Sequence, residues 1–167
     1  MKVQDVMTCD VHTCSPDTTL SMAAVQMWNG DFGVLPVLGD RGKVVGMITD
    51  RDICMAVAIP HRDPATVYVG DIMTGQVYWC SPESDIHWAL SIMQQREVRR
   101  LPVIEDGKLV GILSMNDVAI HAGGSKKGEL SDHDVEETLR RICSHSTFAP
   151  KPRVEIKVFG YVLPGAP

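Results

Sequence analysis

A chain of 167 residues that is 44% hydrophobic and 22% charged can build one hydrophobic core or two small cooperating ones, and this balance excludes a wholly disordered polymer. Its formal net charge of −5 and sequence pI near 5.6, with the basic residues scattered, argue against a broad nucleic-acid surface, which needs clustered Lys and Arg. No apolar run approaches the roughly 18 residues of a membrane span, and the start MKVQDVMTCD lacks the apolar core of a secretory signal, so a cytoplasmic protein is expected.

The chain repeats itself. DVMTCDVHTCSPDTTLSMAAVQM from Asp5 aligns without a gap to DIMTGQVYWCSPESDIHWALSIM from Asp71. The match continues through LPVLGDRGKVVGMITDRD at Leu35 and LPVIEDGKLVGILSMND at Leu101, the first copy carrying one extra residue in its turn. This is a tandem duplication.

In chain order, each copy begins with a short apolar segment closed by Pro, VHTCSP or VYWCSP, which predicts a strand leading towards a helix. Leu20, Ala23, Ala24 and Met27 then recur at helical spacing, as do Ile86, Ala89, Leu90 and Met93, marking one buried helix face per copy. Two β runs follow, joined by GDRG or EDG, the chemistry of a tight hairpin. A second helix starts near Asp50 or Met115. Each copy therefore reads as βαββα, an α/β (α+β) unit, with residues 1–59 as the first repeat, 60–70 as a Pro-containing linker and 71–123 as the second repeat. A unit this small buries little surface alone, so the two copies are expected to pack face to face with pseudo-twofold symmetry, leaving a cleft between them.

Residues 124–167 have no counterpart in the repeat. Ser131 is placed to cap a helix over about 132–144 with Val135, Leu139 and Ile142 on one face, and RVEIKVFGYV alternates as a strand over about 153–159. That strand is expected to dock on a sheet edge within the chain.

One phrase appears in both copies at the start of the second helix. Thr49 and Asp52, and Ser114 and Asp117, each stand three apart after a Gly and two apolar residues. Taken singly, each is a helix-capping arrangement, the hydroxyl accepting an N–H bond and the acid favoured in the first turn. The same helix start also offers free N–H groups suited to a phosphate, and a carboxylate has two oxygens for the adjacent hydroxyls of a ribose. Capping and ligand binding are compatible.

Catalytic signatures are missing: there is no P-loop, no G-x-G-x-x-G, no G-x-S-x-G and no H-E-x-x-H, so no enzyme, no catalytic residue and no metal site is expected. His121 and Asp117 are spaced as a surface pair on a helix. The five cysteines form an odd set without C-x-x-C, which predicts reduced thiols, and Cys14 and Cys80, equivalent in the repeat, read as small buried hydrophobes.

The duplicated pattern of D-h-M-T, S-P, L-P-V and G-h-h-[TS]-x-x-D, where h is apolar, resembles a cystathionine β-synthase (CBS) domain pair, or Bateman module, over Lys2 to about Gly123. The resemblance implies a regulatory module that commonly dimerises into a flat disc through its CBS pairs and binds an adenosine-containing ligand in clefts between repeats. AMP, ADP or ATP is the expected regulatory ligand, ahead of S-adenosylmethionine, with no catalytic cofactor. It further implies that Asp52 and Asp117 hold ribose, with Thr49 and Ser114 on the phosphate side. Arg51 lies within the first phrase as a further phosphate contact, Arg99 and Arg100 offer cationic help from the opposite repeat, and Met47 and Ile112 are pocket walls. Thr13 stands where the family often has a small hydroxyl residue, whereas the second copy has Trp79, which can stack on a base, fill the cleft or anchor the core. With Thr13 assigned to the first copy's phrase, the Asp52 site is expected to be the better one. The competing expectation is a ligand-free dimerisation scaffold whose C-terminal tail docks an unidentified partner protein; neither membrane nor nucleic acid is an expected partner.

Overall fold

The computed structural model describes residues 1–124 and 128–144; the strand expected at about 153–159 lies outside them. The observed elements are α1 (Leu20–Gly30), β1 (Val34–Leu38), β2 (Val44–Thr49), α2 (Asp50–Ala58), α3 (Ile86–Arg96), β3 (Arg100–Glu105), β4 (Lys108–Ser114), α4 (Met115–Ile120) and α5 (Asp132–Cys143). β1 pairs antiparallel with β2 and β3 with β4, giving two small sheets in an α+β fold.

Turn chemistry sets both hairpins. Asp106 and Gly107 have φ of 49° and 76°, the left-handed pair that a two-residue hairpin turn requires. The first copy's extra residue converts this turn into a short 3-10 segment in which Arg41 and Gly42 take φ of 60° and 73°.

The segments read as first strands shrink to one bridge each. Cys14 N–H donates to Pro36 O (3.1 Å) and Leu38 N–H donates to Cys14 O (2.8 Å), a parallel bridge to Val37; Cys80 makes the same bridge to Val103. The ladder stops there because Ser15 N–H turns to Thr18 Oγ1 (3.0 Å) and Pro16 has no N–H to offer.

The helix faces fall where the spacing places them. Leu20, Ala23 and Met27 are buried with Ala24 packed alongside, and Ile86, Ala89, Leu90 and Met93 are all buried. Two cores result, and they do not follow the copies as read along the chain. Val3 and Val6, at the head of the first copy, belong to the core of α3, β3, β4 and α4. Val67 and Val69, with Ile72 and Met73 against them, join the core of α1, β1, β2 and α2. Each repeat thus lends its leading segment to the other, and backbone bonds fix the exchange: Thr8 and Ile112 bond reciprocally (3.0 and 2.9 Å), as do Met47 and Thr74 (3.2 and 2.9 Å).

α5 is capped by Ser131 and lies across α3 and α4. Its buried face carries Thr138 and Ile142, with Val135 packed against the core; Leu139, expected there, is 39% exposed. The helix is rotated so that Thr138 can accept a bond from Gln94 Nε2 (2.8 Å), which turns Leu139 outward. No described helix is long and apolar enough to cross a membrane.

Burial also decides thiol chemistry. Cys14 and Cys80 are buried, and burial alone pushes their thiols up to about 11 and about 12. Cys9, Cys54 and Cys143 are exposed. A thiol reagent added to native protein should therefore modify three cysteines quickly, the remaining two reacting only on unfolding. Five rapid equivalents without denaturant would contradict this burial.

Candidate functional site at the seam between repeats

The repeated phrase forms the same cap twice. Thr49 N–H donates to Asp52 Oδ2 (2.9 Å), Thr49 Oγ1 donates to the same oxygen (2.7 Å), and Asp52 N–H returns to Thr49 Oγ1 (3.2 Å). Ser114 and Asp117 repeat this, with Ser114 N–H to Oδ2 at 2.8 Å and Asp117 N–H to Ser114 Oγ at 3.3 Å; the Ser114 hydroxyl also donates to Oδ2. These are capping boxes with Asp in the Glu position. Ser131 and Asp134 at the start of α5, outside the repeat, build a third one (2.8, 2.6 and 3.3 Å). The phrase by itself is therefore a folding device, and its surroundings must supply any function.

Those surroundings differ. Each box uses Oδ2 and leaves Oδ1 over. Asp117 Oδ1 accepts a bond from Thr8 Oγ1 (2.8 Å), carried in from the other copy by the exchanged segment. Among the described residues Asp52 Oδ1 accepts no hydrogen bond. At Asp134 burial pushes the carboxyl up, but the Ser131 bonds and nearby His87 outweigh it and hold the group below its ordinary value.

Arg100 stands directly opposite Ser114 in the β3–β4 ladder, where repeat 1 pairs Val34 with Thr49. Arg99 accepts the Met115 N–H on its carbonyl (3.0 Å), while its Nη2 contacts Cys143 Sγ at 3.8 Å. The backbones of both arginines therefore flank the phrase of their own repeat. Arg51 is exposed on the first turn of α2. Met47 and Ile112 are partly buried, and their backbones carry the exchanged segments.

Thr13 lies on the segment that joins the two repeats. Residues 8–14 cross from β4, at Ile112, to β1, at Val37. Thr13 lines a hollow of about 340 Å³ shared with Leu38, Arg41 and Gly42 of one repeat and Lys108, Leu109 and Val110 of the other. Neither this hollow nor a second one of about 420 Å³ between α1 and α2 is lined by Asp52 or Asp117. The polar contact that this N-terminal segment makes to a repeated acid is Thr8 to Asp117, in the other repeat.

Trp79 sits on the equivalent crossing, between Thr74, bridged to Met47, and Cys80, bridged to Val103. It is 51% exposed and belongs to neither core, so it does not anchor the interior. His121 Nδ1 pairs with the backbone carbonyl of Asp117 (2.8 Å), not with its carboxylate. Thr8 is the residue that sequence reasoning missed. Its signal was present in the duplicated D-h-M-T, which served only to align the copies. Among the described residues no three His, Cys, Asp or Glu side chains converge as metal ligands would.

Comparison with known proteins places this geometry in a family. The chain is 33% identical over 146 residues to hypoxic response protein 1 of Mycobacterium tuberculosis, covering 87% of this chain and 96% of that protein. Hypoxic Response Protein I, solved with two coordinated zinc ions, superposes with a TM-score of 0.67 at 35% identity over 72% of this chain and 98% of its own. The CBS domain pair of protein MJ0100, solved with 5-methylthioadenosine and S-adenosyl-L-methionine, shares the fold (TM-score 0.65, 24% identity, 72% of this chain and 94% of that one). The CBS domain family model matches residues 3–67 and again 69–123, nearly the whole repeated region, and the chain belongs to the CBS domain family as a tandem pair.

Proposed function

We propose that this chain is a regulatory module that binds an adenine nucleotide, AMP, ADP or ATP, at the seam between its repeats, and that occupancy modulates a partner protein. In this reading residues 1–59 and 71–123 are the repeats, 60–70 their linker, and 124–167 an extension. The observation that carries it is the bond from Thr8 to Asp117, which brings both copies together beside one acid.

Around that acid stand Ser114, whose hydroxyl suits a phosphate, and Arg100, its cross-strand neighbour, a cation able to pair with one. Asp117 offers the acceptor oxygens that neighbouring ribose hydroxyls need once Thr8 yields Oδ1. Repeat 1 has Val34 in place of Arg100 and an exposed Trp79 on its crossing, leaving Arg51 as the cation of its phrase. The Asp117 site is therefore the principal one, and Thr49, Asp52, Met47 and Arg51 outline a secondary site. Adenosyl ligands held by a protein of this fold support including S-adenosylmethionine in the test panel.

The competing reading, a scaffold without ligand, is favoured by one observation, the exposed apolar side chains of α1. Nucleotide titration followed by melting temperature and calorimetry separates the two. AMP, ADP or ATP should stabilise the wild type. Asp117→Ala should weaken binding about 10- to 100-fold, as expected from losing charge-assisted bonds worth roughly 1.5–3 kcal/mol, while Asp52→Ala should change it less than about threefold. A panel that leaves the wild-type melt unmoved selects the scaffold; loss of binding in Asp52→Ala alone reverses the two sites.

A further inference from the structure

The two threonines of the duplicated D-h-M-T are held alike and used differently. Thr8 donates its N–H to the Ile112 carbonyl and accepts the Ile112 N–H, and Thr74 does the same with Met47, so neither backbone can shift without breaking a pair of bonds. Both side chains are exposed. Thr8 Oγ1 nevertheless reaches Asp117 Oδ1 at 2.8 Å, whereas among the described residues Thr74 Oγ1 makes no hydrogen bond and Asp52 Oδ1 accepts none.

The bond from Thr8 takes the oxygen that a ligand needs. Asp117 Oδ2 already accepts from the Ser114 N–H and the Ser114 hydroxyl, and giving those up would undo the capping box of α4. A vicinal diol donates two bonds and must therefore find an acceptor at Oδ1, where it competes with Thr8. With its backbone fixed to Ile112, Thr8 can yield by rotating about χ1 into another staggered rotamer, in which the exposed hydroxyl bonds to water. One side-chain hydrogen bond is then lost, and the exchanged segment stays paired to β4.

We infer that Thr8 is an autoinhibitory latch on the Asp117 site: its hydroxyl holds Oδ1 until a nucleotide ribose displaces it by side-chain rotation. The inference rests on the nucleotide reading above and adds what sets the affinity. A ligand that must break an internal bond binds more weakly than one that meets a free acceptor, so the latch raises the concentration at which the site fills. Thr8 belongs to the segment that repeat 1 lends to repeat 2, so filling the site also removes one tie between the repeats. The Asp52 phrase has no such latch, because Thr74 leaves its Oδ1 open.

Calorimetric titration of the full chain with AMP, ADP and ATP tests it. Thr8→Val keeps the β-branched shape and the backbone bonds but has no hydroxyl, and should bind nucleotide about 10-fold more tightly than wild type, the effect of removing a competing hydrogen bond to a charged group. Without nucleotide the same variant should melt below wild type, since a bond between the repeats is gone. Thr8→Ser restores the hydroxyl and should bind within about threefold of wild type, as should Thr74→Val, the equivalent change in the other copy. Wild-type binding that Thr8→Val leaves unchanged or weakens overturns the latch while leaving the nucleotide reading intact. Equal tightening by Thr74→Val also overturns it, because the effect would then owe nothing to Asp117. If no nucleotide binds either wild type or Thr8→Val, the nucleotide reading itself fails and the latch falls with it.

Discussion

Replacing Gly111 by Val should lower stability by about 3–5 kcal/mol, a drop of roughly 10 °C or more in melting temperature. A Cβ at this position would fall 2.7 Å from Met7 Sδ and 3.0 Å from the Thr8 carbonyl oxygen. The methionine can swing away, but that carbonyl is fixed, because it accepts the Ile112 N–H at 2.9 Å. A branched side chain therefore forces the N-terminal segment off β4, which breaks the reciprocal bonds of Thr8 and draws Val3 and Val6 out of the second core. Gly46 faces the same constraint from Met73 Sδ (2.6 Å) and Thr74 O (3.0 Å), so Gly46→Val should behave alike. Gly75, with open space around it, is the control, and Gly75→Val should stay within about 0.5 kcal/mol of wild type. Urea unfolding of the three variants measures this directly. A Gly111→Val protein that unfolds together with Gly75→Val would mean that the exchanged segment does not support the fold. Since the same substitution detaches Thr8 from Asp117, nucleotide binding at that acid should also change under conditions where the variant remains folded.

The local elements were legible in the sequence because their causes are local. The spacing of Ile86, Ala89, Leu90 and Met93 specifies a buried helix face, and Asp106 followed by Gly107 specifies a tight turn whatever surrounds them. Capping was legible too, with Thr49, Ser114 and Ser131 all serving as N-caps. The exchange of leading segments was not. An alignment of two copies registers similarity, and Val3 looks equally apolar whichever core it enters. The bond from Thr8 to Asp117 is hidden by that ambiguity, since reading Thr8 with its own copy assumes that the copy folds on itself. The third capping box marks the other limit. Ser131 and Asp134 reproduce the hydrogen bonds of Ser114 and Asp117, so what distinguishes a candidate site is the third partner, Thr8, which only the fold brings near.

Ending the chain at Gly123 should destabilise the second repeat by about 3–6 kcal/mol, since Leu130 and Ile142 are almost completely buried and each such side chain contributes roughly 1.5–3 kcal/mol. Melting should fall by roughly 10–20 °C for a chain of this size. Polar losses act in the same direction: Gln94 would lose Thr138, and the N-terminal ammonium would lose the Gly128 carbonyl it reaches at 3.0 Å. A chain ending at Ser144 keeps α5 and should melt well above the one ending at Gly123. The comparison matters for function because removal of everything after Gly123 appeals as a test of partner docking by the tail, yet it also uncovers the α3–α4 face. Any partner lost, or any new association gained, in that truncation would report exposed core rather than a missing docking element. Ending at Ser144 separates the two, and partner capture that survives it while failing at Gly123 would locate recognition on α5 or on the face that α5 holds in place. If instead the Gly123 truncation melts with the full chain, α5 is not a structural part of repeat 2.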